Sequence, residues 1–159
     1  MSQRKDSIRE HMTRAHVDTW SFLAGLSPSD LGTRVYAAQA EGWTVRQILA
    51  HLADAERGLL GQARRVAEGK DGVPADFDRD RWNRGAVRRK ASIEVPVLLH
   101  EIQEAHEQGL EFLQDLPEAN LDLSGRSSLG IVLTVEGLLR RIGDHRREHV
   151  ADIRQALGR

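Results

Sequence analysis

Apolar residues recur at threes and fours along four stretches of this chain, the spacing of helices that each bury one face. In the first, from about Asp6 to Gly25, the residues Ile8, Met12, Ala15, Thr19, Phe22 and Leu26 fall on one stripe. A short helical turn follows, with Ser27 as cap and Pro28 in its first position. The second stretch starts at Thr44, whose hydroxyl can cap the N–H of Gln47 while the Gln47 side chain reaches back. Its inner stripe is Val45, Ile48, Leu52, Ala55, Leu59 and Ala63, and Gly69 is its expected stop. The third begins after Ser92, carries Val95, Leu99, Ile102, His106, Leu110 and Leu113 inward, and ends before Pro117. Thr134 caps the fourth, with Glu136 in its first turn suiting the helix dipole. There Val135, Leu138, Ile142, His145, His149, Ile153 and Ala156 are in phase.

Residues 70–91 break the pattern with Gly72, Pro74, Gly85 and dense charge, which predicts a long connection with one short helical turn around Trp82. A connection of that length is usually functional or crosses the bundle. Residues 120–133 read as a Gly/Ser-rich loop, with Leu129–Leu133 the best candidate for a strand. There is no internal repeat. The pattern as a whole predicts an all-α four-helix bundle forming a single domain over residues 1–159.

Composition narrows the function. With 23 basic and 24 acidic residues the net charge is −1, which gives no global electrostatic reason to bind nucleic acid or an anionic membrane. No apolar run is long enough to span a bilayer, and nothing apolar behind Met1–Asp6 resembles a signal peptide, so a cytoplasmic location is expected. There is no cysteine. Zinc ribbons, iron–sulfur clusters on cysteine and a cysteine nucleophile are thereby excluded, and a metal would rest on His, Asp or Glu.

The fourth helix contains His145-Arg146-Arg147-Glu148-His149. Residues four apart share a face about 6 Å apart along the axis, so the two imidazoles can chelate one ion. Both are in phase with Leu138, Ile142 and Ile153, which points them into the bundle, where an imidazole without a partner is costly. His51 lies one position off the second stripe, on its flank, and is the candidate third ligand. Three histidines leave at least one coordination position open, the catalytic pattern rather than the structural one. The competing reading is a chance surface pair. The order also fits the inverted zinc-protease pattern, but only ten residues follow His149 and a helical bundle offers no edge strand to a peptide. His11, His16 and His100 are expected to be peripheral. His106, on the inner face of its helix, is a further ligand, a supporting residue or a satisfied core histidine, and the last is preferred. The basic stretch Arg79, Arg81, Arg84, Arg88, Arg89 and Lys90 can form the mouth of a site for an anionic ligand. Balanced by Asp76, Asp78 and Asp80, it can also be a solvated loop, the preferred reading.

Three segments carry a resemblance. Trp43-Thr44-Val45-Arg46-Gln47-Ile48-Leu49-Ala50-His51-Leu52-Ala53-Asp54-Ala55-Glu56 resembles the second-helix signature of the DinB/YfiT-like superfamily. Asp144-His145-Arg146-Arg147-Glu148-His149 resembles its last-helix signature, and Phe77-Asp78-Arg79-Asp80-Arg81-Trp82-Asn83 its inter-helix segment. The resemblance implies an up-down-down-up bundle with a long crossover between helices 2 and 3 and frequent homodimers. It also implies a three-histidine site for zinc, nickel or a similar ion, made here by His51, His145 and His149. Arg81 and Asn83 are then the candidate substrate-binding residues. Relatives implied by the resemblance include S-transferases that use bacillithiol or mycothiol, a thiol-dependent isomerase and a hydrolase.

Three functions follow as expectations. The first is a metal-dependent transferase adding a low-molecular-weight thiol to an electrophile, with the sulfur supplied by the cosubstrate. The second is a hydrolase using a metal-bound water with Glu56 or Glu148 as base or supporting residue. The third is a non-catalytic metal- or ligand-binding stress-response protein. A homodimer built on the first two helices is expected from apolar residues that look surplus to the stripes, Trp20, Leu23 and Leu60.

Overall fold

The computed structural model describes residues 1–37, 40 and 42–159. Helix α1 (Gln3–Ala24) is capped by the Ser2 hydroxyl, which accepts from the N–H of Lys5. A single turn, α2 (Pro28–Leu31), opens on a reciprocal capping box between Ser27 and Asp30. A two-residue ribbon of β1 (Arg34–Val35) and β2 (Trp43–Thr44) leads into α3 (Val45–Ala67). The Thr44–Gln47 capping box forms as its spacing predicts, and Gly69 takes a positive φ just past the helix end. Then come α4 (Arg79–Arg89), α5 (Val95–Asp115) and a 3-10 turn (Glu118–Asp122). A hairpin of β3 (Ser124–Arg126) and β4 (Val132–Thr134) precedes α6 (Val135–Leu157), whose Thr134 cap accepts from Gly137 N–H.

Two elements differ from the sequence expectation. The turn expected around Trp82 is an eleven-residue helix, α4. It buries only Gly85, Ala86 and Val87, so it has no apolar stripe to read, and Asp78 starts it by capping Arg81 N–H at 3.0 Å. The strand expected at Leu129–Leu133 is instead mostly the turn of the hairpin. Ser127 N–H donates to Ile131 O at 3.0 Å around Gly130, whose φ of 79° favours a residue without a Cβ.

The long helices α1, α3, α5 and α6 form the four-helix bundle. Arg4 pairs with Glu136, His11 with Asp144 and Asp18 with Arg147, so contacts climb both helices together and α1 and α6 run the same way. Arg46 meets Ile93 O ahead of α5, and Asn120 Nδ2 beyond α5 donates to Ala67 O, so α3 and α5 are also codirectional. Neighbours running the same way cannot be joined by a tight turn, and the segment holding α4 makes the connection. Where α1 crosses α6, a Cβ on Gly143 would stand 2.6 Å from the Ala15 Cβ, so the glycine permits that approach.

The core is divided in two. One apolar cluster holds Ile8, Met12, Leu60, Leu113 and Leu138; the other holds Leu23, Ile48, Leu52, Leu98, Ile102 and Ile153. Between them every long helix contributes a polar residue: His16, Glu56, His106 and Arg146. Arg146 and Glu56, 2% and 0% exposed, form a bidentate pair at 2.6 and 3.2 Å. Arg146 also donates to His16 Nδ1 at 2.7 Å, and His16 stacks on His106 with centroids 4.1 Å apart. His16, expected at the periphery, is thus part of this layer. Leu23 and Leu60, expected as surplus for a dimer face, are buried in the chain's own core, and Trp20 stacks on His16.

Candidate metal centre

His51 sits in the second turn of α3, and His145 and His149 lie one turn apart on α6. The N-terminal caps, a capping box on α3 and the Thr134 hydroxyl on α6, and the apolar stripes that fix these two helices also fix the three rings. All three are buried. The Nε2 atoms of His51 and His149 each lie 3.1 Å from His145 Nε2, and one ligand atom from each ring lies within 4.8 Å of the others. Among the described residues this is the one group of three or more His, Cys, Asp or Glu side chains so arranged.

The rings cannot satisfy one another. Each neutral imidazole has one N–H and one lone pair, and His145 Nε2 faces two other ring nitrogens at hydrogen-bond distance. The Nδ1 atoms of all three are buried without a partner. Burial also opposes protonation: it lowers His51 from the usual 6.5 to about 3 and His149 to about 4, and holds His145 well below the usual value. Three neutral nitrogens converging on one point make a donor set that a divalent cation completes.

The triad forms the floor of a cleft of about 400 Å³. Its walls include Asp54, Leu59 and Gln62 of α3, Phe77, Arg79, Trp82 and Asn83 of the crossover, Ser128 and Leu129 of the hairpin, and Arg141 of α6. The crossover is fastened to the hairpin by Gly72 and Val73 N–H donating to Arg126 O at 2.9 and 3.2 Å. It is fastened to α3 by the Trp82 indole, which donates to Asp54 at 3.0 Å. Trp43 covers the far side of His51, with ring centroids 5.3 Å apart.

The sequence model of the DinB superfamily matches residues 11–153. This chain belongs to the DinB superfamily. Its fold is similar to that of a solved structure, YfiT from Bacillus subtilis, described as a probable metal-dependent hydrolase with an unusual four-helix bundle topology. That likeness has a TM-score of 0.76 at 21% identity and covers 98% of this chain and 87% of the other. None of the curated proteins matches this chain.

Within this DinB-superfamily protein the other expected site residues separate. Asn83 lines the cleft, whereas Arg81 is not among its lining residues. Glu56 lies in the core on Arg146; burial pushes its carboxyl up while the guanidinium opposes that. Glu148 is held by Arg141 at 2.7 and 3.0 Å, which keeps its carboxyl below the usual range. His106 is stacked on His16 and takes no place in the triad. The sequence reading did not single out Arg141, and it gave Arg79 no role apart from the basic stretch. Arg141, one turn before His145 on the same face, had a signal in its spacing. Arg79 was signalled only as one of six basic residues that could form a mouth for an anionic ligand, because which of them reaches the cleft depends on how α4 is tied to α3.

Proposed function

We propose that this protein is a metal-dependent enzyme that holds one divalent cation, zinc or nickel, on His51, His145 and His149, and transfers a low-molecular-weight thiol to an electrophilic small molecule in the cleft above them. The observation that carries the reading is the convergence of three buried Nε2 atoms at the floor of an open cleft. Three ligands leave a coordination position for a cosubstrate, and the ion when bound would supply Lewis acidity that favours a deprotonated nucleophile there.

The choice of thiol over water rests on the carboxylates. A hydrolytic site that relies on a carboxylate base needs one free beside the nucleophile, and both candidates are committed, Glu56 to Arg146 and Glu148 to Arg141. Asp54, which lines the cleft, accepts the Trp82 indole N–H. Thiol transfer needs no carboxylate: the thiol's proton goes to solvent, its sulfur bonds to the electrophilic carbon, and the leaving group departs with the displaced pair. The chain has no cysteine, so the sulfur comes from the cosubstrate. His51, His145 and His149 hold the centre, and Phe77, Leu59 and Leu129 exclude water around the electrophile.

Metal-dependent hydrolysis is the second reading, favoured by the likeness to YfiT, itself described as a probable metal-dependent hydrolase. The test is turnover of a fluorogenic haloalkyl bimane by the zinc- or nickel-loaded protein, with and without a series of small thiols. Thiol-dependent product release supports transfer. Cleavage of model esters or amides without thiol would overturn it in favour of hydrolysis.

A further inference from the structure

Of the six basic residues between positions 79 and 90, Arg79 alone is among those lining the cleft with the triad. The cleft holds a second cation, Arg141, but that guanidinium is occupied by both Glu148 oxygens. Arg79 has no such partner. The nearest described carboxylate is Asp80 at 4.0 Å, with both side chains largely in solvent, and the Arg79 guanidinium makes no hydrogen bond to a described residue. It nonetheless lines the same cleft as His51, His145 and His149. A cation open to ligand on one side and close to the centre on the other is placed to hold an anion.

The backbone that carries Arg79 is braced. Asp78 caps the start of α4, Trp82 is anchored to Asp54, and Arg89 lies over the Trp82 ring at 5.3 Å. Beside Arg79, Phe77 and Trp82 face each other with centroids 6.0 Å apart, and Leu59 and Leu129 line the opposite walls. One fork of N–H donors therefore stands next to an apolar surface, above a metal-binding floor.

We infer that Arg79 anchors a carboxylate-binding subsite at the mouth of the cleft, and that the substrate is a small organic acid. Its carboxylate docks on Arg79, its apolar or aromatic portion lies on Phe77 and Leu59, and its reacting carbon points to the triad. The inference rests on the reading of the cleft as a metal-dependent active site. A carboxylate fits better than a phosphate dianion because one unpaired guanidinium serves the mouth and Asp54 and Asp80 border it. The planar guanidinium matches a carboxylate in two parallel hydrogen bonds, so lysine would reproduce the charge but not the geometry.

The test compares phenylacetate with its neutral amide, phenylacetamide, titrated by calorimetry and by the indole N–H resonance of Trp82. Both metal-free and zinc-loaded protein are used. Wild type is expected to bind the acid at least about tenfold more tightly than the amide in both forms, one decade being a usual value for a charged hydrogen bond. Arg79→Gln should bring the two ligands within about twofold at unchanged zinc content, Arg79→Lys should keep part of the preference, and Arg141→Gln should keep all of it. Equal affinities in wild type, no binding of either ligand, or a preference that survives Arg79→Gln would overturn the subsite. Failure to take up zinc would instead sink the metal reading, while the metal-free titrations still judge Arg79.

Discussion

His51 Nε2 lies 3.1 Å from His145 Nε2 across ninety-four residues of chain. Nitrogen atoms of two neutral rings do not approach so closely inside a protein without a proton or a cation between them. With His149 at the same distance from His145, the contact defines a point toward which three helix-borne donors aim.

Removing one donor should remove the metal and leave the fold. His149→Ala is expected to lose most bound zinc or nickel by elemental analysis. Its far-ultraviolet circular dichroism should remain that of the wild type, because the two apolar clusters hold the bundle without the ion. A full equivalent of metal in that variant would place the site elsewhere. His106→Asn should retain the metal.

Acid should destabilise the metal-free protein, and the sign follows from the histidines. Burial lowers His51 to about 3 and His16, His106 and His149 to about 4, while the unfolded chain takes up those protons near 6.5. Between those values the unfolded state binds more protons, so stability falls as pH falls from about 6.5 toward 4. Thermal unfolding should show Tm dropping through that window, and saturating zinc should raise Tm at neutral pH by mass action. A Tm that rises on acidification from 6.5 would contradict the buried, neutral histidines.

The Glu56–Arg146 pair should matter more when broken than when replaced. Arg146→Met leaves Glu56 buried without a partner and is expected to cost about 3–5 kcal/mol. The double variant Glu56→Leu with Arg146→Met should recover most of that loss, a coupling read by urea denaturation of the four proteins of the cycle. Additive losses would mean that the polar layer does not act as a pair.

Gly143→Ala should destabilise by about 1–3 kcal/mol, the usual cost of overpacking. The new methyl would stand 2.6 Å from the Ala15 Cβ, and both belong to helix backbones that move only together. A gain in Tm, the normal result of replacing an exposed helical glycine, would show that α1 and α6 are farther apart than this.

The four long helices, the caps at Ser27, Thr44 and Thr134 and the two histidines on α6 were legible in the sequence, because each depends on contacts between residues three or four apart. The helix face of His51 was legible for the same reason. Its approach to His145 was not, since that distance is set by how α3 packs on α6. Tertiary structure likewise decided that Glu56 goes to Arg146 rather than to the cleft. A charged side chain in one dimension carries no record of which opposite charge burial will force upon it. The same holds for α4. Its polar sequence has no stripe to announce a helix, and only its attachment to Asp54 turns Arg79 toward the triad while Arg81 stays outside the cleft.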